Sequence, residues 1–82
     1  MNNKVLIKLM IPETNQDYDI YLPINKKIGS IIKLINQAVN EFDGENIPFK
    51  HLYNADTGEC YDYDVLLAST KIRNGTRIVI TR

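Results

Sequence analysis

The sequence predicts an α+β domain in which one helix covers one face of a mixed sheet, with elements in the order ββαβββ. Three patterns carry that prediction. Lys4–Ile11 and Asp17–Pro23 alternate apolar and polar residues on either side of a short polar loop, as the strands of a hairpin do. The stretch "NKKIGSIIKLINQAVNEFDG" then shifts to the helical period. Near the end, "NGTRIVI" joins a turn dipeptide to one more alternating run.

In the first strand Val5, Ile7, Leu9 and Ile11 share the inward side, with Lys4, Leu6, Lys8 and Met10 outward. "PETNQ" supplies the loop. The second strand turns Tyr18, Ile20 and Leu22 inward and Asp17, Asp19 and Tyr21 outward. Matching inward faces pairs Ile11 with Tyr18, Leu9 with Ile20 and Ile7 with Leu22, because opposed residues point the same way. The helix spans about Ile28 to Phe42, with Ile28, Ile31, Ile32, Ile35, Val39 and Phe42 on its apolar stripe and Ala38 beside them. Asn25 suits an N-cap and Gly44 a C-terminal stop. Gly29 in the first turns costs about 1 kcal/mol against alanine, so it marks a close approach of helix to sheet.

After Pro48, "FKHLYN" reads as a third strand, "ADTG" as a turn and "ECY" as a short fourth strand. "DYDVLLASTKI" is an irregular connection that contributes Leu67 and Ile72 to the core. The last strand buries Ile78 and Ile80 and turns Arg77, Val79 and Thr81 outward. With Leu52 inward, His51 and Tyr53 share the outward side of the third strand.

Eighty-two residues make one domain, 1–82, with room for a modest core. Ten basic and ten acidic side chains cancel, which removes any general attraction for nucleic acid or anionic lipid. The apolar runs are too short to span a bilayer, and "MNNKVLIKLMIP" is a poor signal peptide because lysine interrupts it and no small-residue cleavage site follows. One cysteine, Cys60, cannot form an internal disulfide. A cytoplasmic setting is expected.

Catalytic and cofactor chemistry finds little support. Cys60 and His51 are a candidate nucleophile and base. With Asn54 and Glu59 flanking the "ADTG" turn, Tyr53 opposes Cys60, and His51 is its diagonal neighbour at roughly 7–8 Å. Catalysis needs closer contact, an orienting group and a pocket. One cysteine and one histidine do not make a zinc site. "NADTGECYDYD" places its glycine one position early for an EF-hand loop, so Asp56, Glu59, Asp62 and Asp64 read as a solvated edge. Lys26 and Lys27, at the start of the helix, could hold a phosphate with the free helix amides, but no glycine-rich loop accompanies them. The expectation is a non-enzymatic domain without metal or cofactor.

The element order resembles the ubiquitin β-grasp fold, and "LASTKIRNGTRIVI" resembles the ubiquitin ending, in which a leucine and an isoleucine precede a turn and the final strand. A narrower resemblance rests on Asn54 at the end of the third strand and on Ile72, Asn74, Gly75, Arg77 and Ile78. These match an "I-x-N-G-D-R-L" segment, with Thr76 replacing the acidic residue. In this the sequence is similar to the YukD/EsaB-like group of bacterial ubiquitin-like proteins, associated with type VII (WXG100/ESX) secretion.

That resemblance implies an accessory or regulatory role beside such a machine, with a cytoplasmic component of it as the protein partner. In β-grasp folds the first and last strands are neighbours and the third lies next to the last. Leu6, Met10, His51, Tyr53 and Val79 would then adjoin on the outward sheet face, the candidate partner-binding surface. The alternatives are a free-standing ubiquitin-like adaptor in another pathway and a Cys60-dependent thiol activity. Ubiquitin and sulfur-carrier proteins act through a flexible Gly-Gly tail, whereas this sequence finishes Thr81-Arg82. The expectation is non-covalent docking: incubation with ATP and activating enzymes of either type should give no adenylate or thioester through Arg82.

Overall fold

The structure, a computed structural model, describes residues 3–43 and 48–82, with the side chains of residues 39–43 outside the description. Its elements are β1 (Lys4–Ile11), β2 (Gln16–Pro23), α1 (Ile28–Asp43), β3 (His51–Asn54), a 3-10 turn (Leu67–Ser69) and β4 (Arg77–Thr81). The strands form one sheet in the order β2-β1-β4-β3. β1 and β4 run parallel at its centre, while β1–β2 and β3–β4 are antiparallel. This is the mixed sheet with one helix that the sequence predicts.

Of the inward residues of the two central strands, Ile7, Leu9, Ile11, Ile78 and Ile80 are almost fully buried, and Val5 is half-buried against the core. Helix residues Ile28, Ile31, Ile32 and Ile35 lie over them at i, i+3, i+4 and i+7, one face of an α-helix. Leu52, Phe49, Tyr61, Leu67 and Ile72 complete the cluster, so Leu67 and Ile72 are core residues as expected. On edge strand β2 only Leu22 is fully buried; Tyr18 and Ile20 are half-buried. Ala38 is exposed rather than beside the stripe. The side chains of Val39 and Phe42, and Gly44, lie outside the described residues.

The hairpin register differs from expectation by two residues. Ile11 pairs with Gln16, Leu9 with Tyr18, Ile7 with Ile20 and Val5 with Leu22. A four-residue turn closes it, with the Thr14 and Asn15 amides donating to the carbonyls of Ile11 and Pro12 and Asn15 at φ 57. Asparagine tolerates that left-handed conformation. An even shift leaves every inward residue inward, so the alternation pattern could not detect it.

The expected fourth strand, "ECY", is reduced to a single bridge between Tyr53 and Cys60. The Asn54 amide donates to the Glu59 carbonyl and the Tyr61 amide to the Leu52 carbonyl. Beyond Tyr61 the chain leaves the sheet and turns to the helix. There the Ile28 and Gly29 amides donate to the carbonyls of Val65 and Tyr63. These tertiary carbonyls, and not Asn25, satisfy two of the orphan donors at the helix start. Gly29 likewise approaches this connection and not the sheet: a Cβ there would lie 3.4 Å from the Tyr63 carbonyl oxygen. With both engaged, neither amide is free for a phosphate, and Lys26 and Lys27 stay exposed.

Two asparagines fasten the frame. Asn36 accepts from the Phe49 amide (2.7 Å) and donates to its carbonyl (3.0 Å), tying mid-helix to the entry of β3. Asn54 accepts from the amides of Asp56 and Thr57 and donates to the Tyr61 hydroxyl. Burial pushes the Tyr61 phenol above its ordinary pKa, against the opposing effect of the Asn54 hydrogen bond and with a smaller push from Glu59.

Ile35 is 4% exposed at the centre of this packing. Ile35→Ala should therefore lose about 2–5 kcal/mol in urea denaturation, the usual cost of truncating a buried isoleucine. A loss below about 0.5 kcal/mol would mean that α1 does not press this face onto the sheet.

Candidate docking face of the sheet

With α1 on one side, the outward residues of all four strands form the opposite surface. The ladder places them in rows. Met10 lies opposite Asp17 on β2 and beside Val79 on β4, and Val79 lies opposite Tyr53 on β3. Cys60 bridges to Tyr53 and carries this row to the sheet edge. The row therefore reads Asp17–Met10–Val79–Tyr53–Cys60 across the molecule. His51, opposite Thr81, stands in the next row, with its ring centroid 6.2 Å from that of Tyr53 and tilted 46° to it.

Met10, Val79, Tyr53 and His51 are each half-buried, although no element among the described residues covers them. Their shielding comes from one another, since directly opposed side chains in a ladder sit within contact distance. Four of the five candidate residues are thus brought together. Leu6 is not among them. It shares the face but lies opposite Tyr21, and the row Asp19–Lys8–Arg77 stands between it and Met10. At about 3.3 Å per residue, Leu6 and Met10 are separated by about 13 Å along β1. The expectation that Leu6 adjoins the cluster is corrected: with Tyr21 it makes a second apolar spot, 36% and 66% exposed respectively.

The dividing row is charged. Arg77 forms an ion pair with Asp56 from the turn after β3, and hydrogen bonding to that carboxylate raises the guanidinium pKa further. One member of the acidic cluster is therefore engaged with a cation of the sheet face. Among the described residues, no group of three His, Cys, Asp or Glu side chains is placed to hold a metal. Cys60 is exposed. The cleft beside it, about 250 Å³, is lined by residues that include Glu59, Asp62 and Lys71 but not His51.

The alternation had assigned Tyr21 and Asp17 outward, but only the ladder shows that they border the candidate residues. Asp56 gave no such signal, because its link to Arg77 spans 21 positions.

Neither a protein-family model nor a curated protein matches the chain. Solved structures do. The chain is similar to the ubiquitin-like domain of an Arabidopsis thaliana protein, with TM-score 0.72 and 18% identity over 95% of this chain and 76% of that one. It is similar to the EccD5 ubiquitin-like domain from Mycobacterium xenopi, with TM-score 0.69 and 15% identity over 95% of this chain and 92% of that one. A chain of the MycP5-free ESX-5 inner membrane complex also matches, with TM-score 0.69 and 20% identity over 95% of this chain and 20% of that one. The chain has a ubiquitin-like α+β fold.

The placement of Cys60 on an open sheet edge has a direct check. In the folded protein without denaturant, a maleimide should modify Cys60 to completion. Modification that required denaturant would put this residue inside the domain and remove it from the row.

Proposed function

We propose that this ubiquitin-like domain works by non-covalent docking of a protein partner on its open sheet face, as an accessory or regulatory component of a bacterial type VII secretion system. The partner is a cytoplasmic component of that machine, and the domain itself acts in the cytoplasm. The observation that carries the docking role is the unbroken row Met10–Val79–Tyr53, bordered by His51, on the face opposite the helix. An apolar group holding a methionine and a tyrosine, edged by Asp17, Lys8 and Arg77, has the anatomy of an interface core with a charged rim. The secretion setting is supported by the late Asn74-Gly75 segment and by likeness of fold to the EccD5 domain and to a chain of the ESX-5 complex.

A non-enzymatic reading fits the same surface. Cys60 and His51 lie on an open sheet face, and the cleft beside Cys60 does not include His51, so the geometry offers no enclosed nucleophile and base. No helix among the described residues is long and apolar enough to cross a membrane, which suits a domain that reaches a membrane machine through protein contact.

Val79→Glu tests the reading. Val79 sits between Met10 and Tyr53, so a carboxylate there is tolerated by the free protein but becomes an unpaired buried charge in any interface. Stability should change by less than about 1 kcal/mol. Capture of the partner from native cytoplasm should weaken at least roughly tenfold, equivalent to about 1.4 kcal/mol. Undiminished capture by a stable variant would remove this face from the mechanism. A captured partner unrelated to secretion would favour a free-standing adaptor.

A further inference from the structure

On the helix side of the molecule a second surface has a different character. A groove of about 460 Å³ runs between the N-terminal half of α1 and the segments at 49–50 and 63–64. Ile32 and Phe49, 5% and 6% exposed, form its apolar floor. Lys27, Lys33 and Lys50 line it and are all exposed. Among the described residues none of the three is held in an ion pair. Among the described residues, Asp64 is the one carboxylate in the lining. Three ammonium groups against one carboxylate among the described lining residues is a local excess in a chain whose formal charges cancel.

The walls are fixed by hydrogen bonds between distant segments. Asn36 takes both the amide and the carbonyl of Phe49. The Lys50 amide donates to the Thr81 carbonyl, and its carbonyl accepts from the Tyr63 hydroxyl at 2.6 Å. The first helix amides are held by Val65 and Tyr63. The groove's segment at 49–50 therefore has no free backbone edge for strand addition, and the helix start has no free Ile28 or Gly29 amide for a phosphate. Recognition falls to the lysine side chains and the apolar floor. Lysine is a mobile point charge without the bidentate fork that selects phosphate or guanine, and a neutral chain has no long-range pull on a polyanion.

We propose that this groove binds an acidic peptide segment, with carboxylates facing Lys27, Lys33 and Lys50 and one aliphatic side chain seated on Ile32 and Phe49. Charge complementarity selects the segment, and the apolar floor sets its register. This surface is separate from the open sheet face and does not depend on it.

The probe is a fluorescein-labelled peptide with a central leucine flanked by aspartates and glutamates, titrated with the full chain and read by anisotropy. Saturable binding is expected, weakening as salt rises from about 50 to 300 mM because the contacts are solvent-exposed charges. The same peptide with lysines in place of its acids should not bind. Lys33→Glu with Lys50→Glu should weaken binding at least roughly tenfold. Lys4→Glu with Lys71→Glu, an equal charge change at exposed positions outside the groove, should leave it nearly unchanged. A thermal melt checks that the groove variant is folded; if it melts early, Lys33→Gln with Lys50→Gln carries the same comparison. Absence of saturable binding, equal losses in the two charge-reversed pairs, or undiminished binding to the groove variant would each overturn the proposal. So would displacement of the peptide by inorganic phosphate or a short single-stranded oligonucleotide at matched charge, which would make the groove a general anion site.

Discussion

The parallel pairing of β1 with β4 is the contact on which the rest of the structure depends. It begins before the strands meet. The Leu6 amide donates to the Asn74 side chain across 68 positions, the Gly75 amide donates to the Leu6 carbonyl, and the Lys8 amide donates to the Thr76 carbonyl. Only then does the ladder proper run from Lys8–Arg77 to Met10–Val79. Gly75, at φ 88, supplies a left-handed turn that β-carbon residues rarely adopt. Joining strands so far apart in sequence carries a large loop-closure cost, offset by burying Ile7, Leu9, Ile78 and Ile80 together at the centre of the sheet.

That pairing also divides the molecule into two working sides. Because β1 and β4 are both central, their inward residues take the helix and their outward residues stand side by side. Met10 and Val79 become neighbours only through the parallel ladder. The helix is then seated by groups outside itself, namely the Tyr63 and Val65 carbonyls at its start and the Asn36–Phe49 pair in its middle. Those attachments divert the chain after Tyr61, which is why the expected fourth strand contracts to one bridge. They also shape the lysine-lined groove, so the same bonds that position the helix build a surface on its flank.

The legible parts of the candidate site were those governed by parity. Alternation put Met10, His51, Tyr53 and Val79 on one side, and their half-buried state agrees with a shared face. Alternation says nothing about distance along a strand, and Leu6 shows the consequence: correct side, wrong neighbourhood. Asn36 was silent for another reason. A mid-helix asparagine is a modest helix former, and nothing local reveals that its amide grips the backbone of Phe49, 13 positions away.

The sequence by itself determined β1, β2, α1, β3 and β4, the helix face and the inward side of each of these strands, because each follows from a period of two or 3.6 residues carried within one segment. Resemblance added that the first and last strands are neighbours. The tertiary structure decided the register of the hairpin, which a shift of two residues leaves invisible to alternation. It decided the helix N-cap, taken by carbonyls more than 30 positions away in preference to Asn25. It also decided which outward residues touch and which free lysines line one groove. These outcomes depend on backbone hydrogen bonds between distant segments, and every residue type carries the same amide and carbonyl.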